Sequence, residues 1–355
     1  MVDTMALLPP FMRGARIARS TEHLPAGLPA DDEVLLDVPD NRLGPALVAA
    51  ARGEWQPVAR LLAGTREDAE WENRDRYARR LAAFAHARTE WFEDWRAAAP
   101  RDPDALLVAA HLAVGRAWLS PARVELLASV SPLIDAAAEA VPHDPVPWRL
   151  GLDHARGANA GHAEFERLWT EAVRRSPHHY GCHVAALKYL AAYWHGSHRA
   201  CFDFAEPAAD DAPPGSLVQA LPVRAALGYL SDGCGEAVPR ARLDAAADRA
   251  IDLSARLAPA DPWPAEIRNV LAYVLIRLDR RADALDQLRL IGPYATTFPW
   301  DRGAEFFPRH PGTDDPLGLF LLARRELRAA PAGAARPHSA HPSGGHGGRA
   351  HRSDH

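Results

Sequence analysis

The chain has 355 residues, of which 48% are hydrophobic and 25% charged, proportions typical of a soluble globular protein. A net charge of −5 and an isoelectric point near 6.4 disfavour general attraction to nucleic acid or anionic membranes. Three cysteines without a CxxC pair favour a reducing compartment, and no apolar run approaches the ~20 residues that cross a bilayer. The N-terminus lacks the pattern of a signal peptide. We therefore expect a cytoplasmic protein without nucleic-acid or membrane partners.

Composition divides the chain into three parts. Residues 1–40 are rich in proline and predict an irregular N-terminal arm that docks loosely or not at all. Residues 41–330 predict a helical-repeat domain, because good helix formers dominate and alternating runs of β-branched residues are missing. Residues 331–355 predict a disordered tail rich in histidine and glycine. Its histidines indicate either weak metal chelation or a neutral solubilising role, and they are His338, His341, His346, His351 and His355.

Four Asp-Pro or Ser-Pro pairs predict regularly spaced helix starts. In each pair the first side chain caps free N–H groups, and proline fits the first helical position because it has no N–H of its own. These starts, with a variant at Ser216, are separated by roughly 40 residues, as in stacked helix–turn–helix units. The pairs are Asp102-Pro103, Asp144-Pro145, Ser176-Pro177 and Asp261-Pro262.

The unit at residues 265–293 resembles a tetratricopeptide-like repeat. Leu271 and Ala272 resemble the Leu-Gly pair of the first repeat helix, and Ala284 resembles the small residue where the second helix crosses the first. No unit carries the full pattern, and the period is longer than the 34 residues of that family. The resemblance implies an all-α fold in which degenerate helix–turn–helix units form a right-handed α-α superhelix.

A second resemblance covers residues 168–230. Trp194, Gly196 and Ser197, followed by Phe204 and Ala205, are similar to the turn of tetratricopeptide-like bacterial helical-repeat proteins that are classed as a domain of unknown function. The near-absence of lysine, with Lys188 as the single one, is typical of a GC-rich coding sequence and indicates the actinobacterial type. This resemblance implies a fold and carries no activity.

The densest group of possible metal ligands lies in residues 176–205. We expect a capped helix over residues 177–194, with His179, Cys182 and His183 near one another on it. The histidine and cysteine of the next helix are displaced from His183 by ~13 Å along an antiparallel hairpin, which excludes a shared ion. Structural histidines with internal hydrogen bonds are the favoured interpretation of this trio, and a metal site is the alternative. The chain has no HExxH, GxSxG or P-loop motif, so we predict no cofactor.

Partner-binding residues are expected on the first helix of each unit, which lines the concave side of a superhelix. Lys188, His195 and Arg268 are the candidates there. The aromatic-rich segment 294–316 predicts either a cap that closes the end of the repeat array or a binding surface with Trp300 and Arg302 as anchors.

The sequence thus predicts a non-catalytic interaction module, a scaffold or adaptor that binds an unidentified protein or peptide in its groove. The alternative is a metal-binding protein or hydrolase that uses the His/Cys cluster at residues 179–183.

Overall fold

A computed structural model describes residues 28–232, 235–301 and 315–329. Within these residues the chain is all-α, as the sequence predicts, with sixteen helices and two very short strands. The predicted tail over residues 331–355 lies outside the described residues. The helices are α1 (Leu43–Ala51), α2 (Gln56–Glu67), α3 (Trp71–Ala87), α4 (Glu90–Ala98), α5 (Pro103–Trp118), α6 (Arg123–Ala140), α7 (Val146–Gly157), α8 (His162–Arg175), α9 (Tyr180–Tyr189), α10 (His198–Asp211), α11 (Leu221–Asp232), α12 (Arg240–Ala255), α13 (Ala265–Arg277), α14 (Arg281–Ile291), α15 (Thr297–Trp300) and α16 (Pro316–Ala329).

Two of the three Asp-Pro pairs begin helices much as predicted, whereas α13 begins at Ala265, three residues after the proline of the pair Asp261-Pro262. Asp102 accepts hydrogen bonds from the backbone N–H groups of Asp104 (2.8 Å) and Ala105 (3.1 Å), and the proline between them is the first residue of α5. The Asp144 carboxylate accepts from a backbone N–H two residues further on, at 2.8 Å. Ser176 differs from the prediction, because it ends α8, and α9 begins three residues later than expected.

From α3 onwards the odd-numbered helices form an inner layer. Each of α3, α5, α7, α9, α11 and α13 contacts the next odd-numbered helix, and most also contact the even-numbered helix that follows them in the chain. The inner helices are the more buried: most residues of α5 and α13 are buried, whereas α8 buries only two. Helix α3 also contacts α7 and α9, so the inner row curves back on itself.

The described part of the N-terminal arm is packed against the helices, which corrects the expectation of loose docking. Strand β1 (Leu35–Leu36) pairs in parallel with β2 (Tyr294–Ala295), and Val34 is buried beside them. The side chain of Asp37 accepts hydrogen bonds from the backbone N–H and the hydroxyl of Thr297. Residues near the two ends of the described chain are therefore in contact. The paired strands are only two residues long and show no alternation of β-branched residues, so the sequence gives no sign of them.

Arg74 of α3 is fully buried and joins the starts of two other helices. Its guanidinium lies 2.6 Å from the carboxylate of Asp104 in α5 and 2.6 Å from that of Asp144 before α7. It also donates to the carbonyl of Leu62 at 3.0 Å. A buried guanidinium requires such partners because its desolvation is unfavourable. The Asp104 carboxylate in the first turn of α5 and the Asp144 carboxylate that caps the start of α7 are thus both bound to α3.

No helix in the described ranges combines the length and the low charge that crossing a membrane would require.

We predict that Arg74→Met lowers the free energy of unfolding by about 3–5 kcal/mol, since it leaves the buried Asp144 carboxylate without its cation and leaves Asp104 with Arg66 alone. The matched control is Arg167→Met, which removes an exposed ion pair with Glu164 and is expected to change stability by less than about 1 kcal/mol. Urea denaturation of both variants measures the difference. Equal effects of the two substitutions would contradict a structural role for the Arg74 bridge.

Candidate functional site

A charged cavity, here called the central cavity, lies between the inner helices α3, α7, α9, α11 and α13. The space between its walls measures about 720 Å³ when its open mouth is counted. Five cationic and four carboxylate side chains line it together with apolar residues, so that the formal balance is +1. The lining residues are Glu72, Asp75, Arg76, Arg79, Arg149, Asp153, Tyr180, Gly181, Val184, Ala185, Lys188, Leu217, Arg224, Trp263, Glu266 and Ile267.

Arg149 of α7 joins two of the cavity carboxylates. Its guanidinium lies 3.3 Å from Asp75 of α3 and 3.2 Å from Asp153, four residues along its own helix. Burial raises the pKa of Asp153, but Arg149, Lys188 and Arg156 outweigh burial and hold that pKa below its usual range. Both carboxylates therefore stay ionised, and the pair of Arg149 with Asp75 binds α7 to α3.

Two polar atoms of this network point to a further, polar occupant. Oδ1 of Asp75 and Nε of Arg149 are buried and have no hydrogen-bond partner among the described residues. His111 of α5 lies 3.9 Å from Asp75, and burial, followed by the charge of Arg149, lowers the pKa of this histidine to about 3. A neutral imidazole at that distance leaves the Asp75 oxygen free to accept from water or ligand.

A second ion pair lines the opposite side of the cavity. Arg224 of α11 donates to Glu266 of α13 at 2.6 Å and to the hydroxyl oxygen of Tyr180 at 3.3 Å. Burial raises the pKa of Tyr180, so its phenol keeps its proton. Arg224 thereby ties α9, α11 and α13 together in the same way that Arg149 ties α3 and α7.

Glu72 has no cationic partner of this kind. One of its oxygens accepts the backbone N–H of Tyr180 at 2.6 Å, and the other lies 4.0 Å from Nε2 of His179. Burial raises the pKa of Glu72 above its usual range. This carboxyl is the cavity group whose negative charge is least stabilised.

Arg79 and Lys188 are the cavity cations without an ion pair. Neither makes a hydrogen bond or an ion pair with any residue in the described ranges, whereas Arg76 is paired with Asp40 at 2.5 Å. Arg79 is exposed on α3, and Lys188 on α9 is partly exposed toward the cavity. Burial and the charges of nearby arginines, opposed by Asp153, together lower the pKa of Lys188 to about 8.

A second space of about 1050 Å³, here called the outer chamber, adjoins the central cavity. Its other walls are the arm residues 37–43 and the segment 294–298. Arg79 thus lines both the central cavity and the outer chamber. The shared lining residues are Arg76, Arg79, Trp263 and Glu266.

His179, Cys182 and His183, for which a metal site was the alternative interpretation, do not converge on one point, because their side chains contact different neighbours. His179 is the N-cap of α9: its Nδ1 accepts the N–H of Cys182 at 3.2 Å, and its Nε2 donates to the carbonyl of Trp71 at 3.3 Å. Cys182 is buried against α7 and α8. His183 donates from Nδ1 to the carbonyl of His179 at 3.0 Å and lies between two aromatic rings of α8 and α10.

These bonds satisfy the histidines internally, and within the described residues no group of three or more His, Cys, Asp or Glu side chains is placed to hold a metal ion. Helix α9 also ends at Tyr189, five residues before the predicted end. A turn follows, in which Gly196 lies so close to the carbonyl of Leu190 that any Cβ atom would collide with it. Ser197 then caps α10, as the predicted Gly-Ser turn requires.

Two of the predicted partner-binding residues belong to the core instead. Arg268 is fully buried and donates to carbonyls at the end of α12, among them those of Ser254 (2.9 Å) and Leu257 (2.8 Å). Trp300 is also fully buried, and its Nε1 donates to Asn269 at 2.8 Å. Side chains with no exposed surface cannot contact a partner, so a role in binding is wrong for both.

The remaining partner-binding candidates have different positions. Lys188 lines the central cavity. His195 is exposed in the turn after α9, where its ring stacks on Tyr189 with centroids 4.5 Å apart, and it is not part of the cavity lining. Arg302 lies outside the described residues.

The sequence analysis did not identify the cavity residues of α3, although their spacing is a recognisable pattern. Glu72, Asp75, Arg76 and Arg79 follow the spacing i, i+3, i+4, i+7, which places them on one helix face. A charged face of this kind is ordinarily the solvent side of an amphipathic helix. It becomes a cavity wall here because other helices pack around it.

No family model, curated protein or solved structure matches this chain. The geometry of the central cavity is therefore the basis on which a function can be inferred.

We predict that His179→Ala lowers the free energy of unfolding by about 1–2 kcal/mol, because the N-cap of α9 is lost. His179→Asn retains a capping acceptor and is expected to lose less. Added zinc should leave the unfolding midpoint of the wild-type protein unchanged in urea denaturation. Stoichiometric zinc that is lost on His183→Ala without unfolding would restore the metal-site interpretation.

Lys188→Met is expected to raise the free energy of unfolding at pH 7 by about 1–3 kcal/mol, because it removes an unfavourable partly buried charge. The magnitude follows from ~1.4 kcal/mol for each unit by which the pKa is lowered, reduced because the side chain is partly exposed. The folded-state pKa of about 8 lies below the ~10.4 of an unfolded lysine. The unfavourable buried ammonium is thus fully present below pH 8, diminishes between about pH 8 and 10.4, and vanishes above.

Urea denaturation at several pH values tests this expectation. The stability difference between wild type and Lys188→Met must shrink as the pH rises through that interval. A variant that is less stable than wild type at pH 7 would instead identify Lys188 as a structural ion-pair partner of Asp153.

Proposed function

We propose that this protein is a ligand-binding module, a degenerate tetratricopeptide-like helical repeat whose inner helices hold a small carboxylate in the central cavity. This proposal retains the binding role predicted from the sequence. It moves the binding site from an extended groove to the compact, charged central cavity. In this proposal the helix pairs follow a right-handed α-α superhelix that curves tightly enough for α3 to approach α9.

The observation that carries the proposal is the pair of unpaired cations, Arg79 and Lys188, in a cavity whose other arginines are bound to carboxylates. Charges that stabilise a fold are paired, because an unpaired charge away from bulk water is unfavourable. Lys188, which is partly buried, and the exposed Arg79 beside it on the cavity lining are both without an ion pair and are therefore available to an anion. Guanidinium and ammonium groups both form charge-assisted hydrogen bonds to carboxylates.

The charge balance of the cavity favours a ligand with a single negative charge. Its lining carries +1 overall, so one carboxylate neutralises it. A dianion would give the cavity a net negative charge, and the ionised side chains of Asp75, Asp153 and Glu266 would repel it. The apolar lining residues Val184 and Ile267 suit a small organic body next to that carboxylate.

A carboxylate of this kind can belong to a free metabolite or to the C-terminus of a peptide. A peptide would place its terminal carboxylate in the central cavity and extend past Arg79 and Trp263 into the outer chamber. The alternative of a metal-binding protein or hydrolase that uses the cluster at residues 179–183 finds no support in the internal bonds of His179 and His183.

Isothermal titration calorimetry with two probes, pyruvate and a short peptide with a free C-terminus, tests the proposal. We predict that Arg79→Met and Lys188→Met each weaken binding about tenfold or more, since a hydrogen bond to a charged group contributes about 1.5–3 kcal/mol. The matched control, Arg167→Met, removes an exposed arginine of α8 and leaves binding unchanged.

The two probes distinguish the sources of the carboxylate. A peptide that binds with its C-terminus free, but not when that terminus is amidated, identifies a peptide ligand, and binding of pyruvate alone identifies a metabolite. Absence of binding by both probes, or equal binding by wild type and Arg79→Met, would overturn the proposal.

A further inference from the structure

We propose that Lys188 forms an imine with the carbonyl group of a 2-oxo carboxylate bound in the central cavity. The inference rests on the proposed function, because the cavity must first hold the carboxylate. It adds a covalent step and a narrower ligand class, a small acid with a carbonyl group next to its carboxylate.

Lys188 is the only lysine in a chain that has 41 lysine and arginine residues together, so 40 are arginine. Attraction of an anion requires only positive charge, and arginine supplies this everywhere else in the molecule. A lysine amine can lose its proton and attack a carbonyl carbon, whereas a guanidinium remains protonated and does not. The cavity thus contains the one side chain of the protein that is suited to imine formation.

The surroundings of Lys188 leave its amine free to react. It lies on the last turn of α9 and lines the central cavity, with no hydrogen bond or ion pair to any described residue. Val184 and Ala185 on the same helix, and Ile267 of α13, form the apolar part of the lining. Shielding from bulk water favours the neutral amine, which is the nucleophilic form.

The charged groups around Lys188 have opposing effects on its pKa. Burial lowers the pKa of Lys188, Asp153 raises it, and Arg224, Arg156 and Arg149 lower it, with a net value of about 8. The remaining titratable or charged side chains of the cavity are Glu72, Asp75, Arg76 and Arg79 on α3, Tyr180 on α9 and Glu266 on α13. With this pKa, roughly a tenth of the amine is unprotonated at pH 7.

The step is balanced without a further reactant. The unprotonated amine of Lys188 attacks the ligand carbonyl carbon, and a C–N bond forms. The amine then gives up its two hydrogens, the former carbonyl oxygen leaves with them as water, and a C=N bond remains. Neither oxidation nor reduction takes place. Arg79 on the facing helix α3 is the cation available to the ligand carboxylate, because it too has no ion-pair partner among the described residues.

Reductive trapping tests the inference. The full-length protein is incubated with pyruvate and sodium cyanoborohydride, which reduces an imine to a stable secondary amine, and peptide mapping by mass spectrometry locates the adduct. We predict an adduct on Lys188 that forms about tenfold or more faster than on the same residue in urea-unfolded protein, because the unfolded amine is almost fully protonated. Its rate should level off above pH 8, and an ordinary lysine would continue to gain up to about pH 10.

Variants identify the cause of the labelling. Lys188→Arg should abolish the adduct at this position and leave only the reaction of the N-terminal amine, which peptide mapping separates. Arg79→Met should slow the labelling of Lys188 about tenfold, whereas Arg167→Met should not change it. Lactate, which has the carboxylate but no carbonyl group, should compete with pyruvate.

The outcomes separate this inference from the proposed function. Pyruvate that binds in calorimetry without labelling Lys188, or that labels it no faster than in the unfolded chain, overturns the imine and leaves the carboxylate site standing. Absence of both binding and labelling overturns the two proposals together. Labelling that is unaffected by Arg79→Met and by lactate would show a merely exposed amine and would also overturn the inference.

Discussion

Two adjacent residues of α3, Arg74 and Asp75, hold the inner layer of this protein together. Arg74 binds the carboxylates of Asp104 in α5 and Asp144 before α7, and Asp75 binds Arg149 of α7. All of these side chains are buried, so each charge is tolerated only while its partner is in place. This mutual requirement determines how α3, α5 and α7 lie against one another. The central cavity depends on the same arrangement, since α3 supplies one of its walls.

The arginines that are bound within the fold differ from the two cations of the central cavity that have no ion pair. Arg268 places its donors on backbone carbonyls at helix ends, and Arg224 is bound to Glu266, so both contribute to the internal organisation of the fold. Arg79 and Lys188 have the same chemistry available but face open space. A protein that pairs its buried charges so consistently leaves the partly buried Lys188 and the exposed Arg79 without an ion pair beside a space that a small molecule can enter. That contrast, more than the size of the cavity, supports a binding role.

Much of the fold could be predicted from local patterns. Helix α5 begins at the proline that follows Asp102, and the turn at Gly196 and Ser197 lies where expected, because capping and close backbone approach depend on residues only a few positions apart. Ser176 failed as a cap because His179 competes for the same role with its own ring nitrogen. The packing of Val34 and β1 could not be predicted, since it depends on a contact with residues 294–295.

The sequence by itself determined that this protein is helical, where the inner helices α5 and α7 begin, and that it has a single lysine. It also indicated the histidine and cysteine cluster, whose spacing on one helix was compatible with metal binding. Only the tertiary structure decided that the cluster is divided among different neighbours, that Arg268 and Trp300 are core residues, and that the charged face of α3 lines a cavity. The physical reason is that helix spacing determines which side chains share a face, whereas the packing of distant helices determines what that face meets.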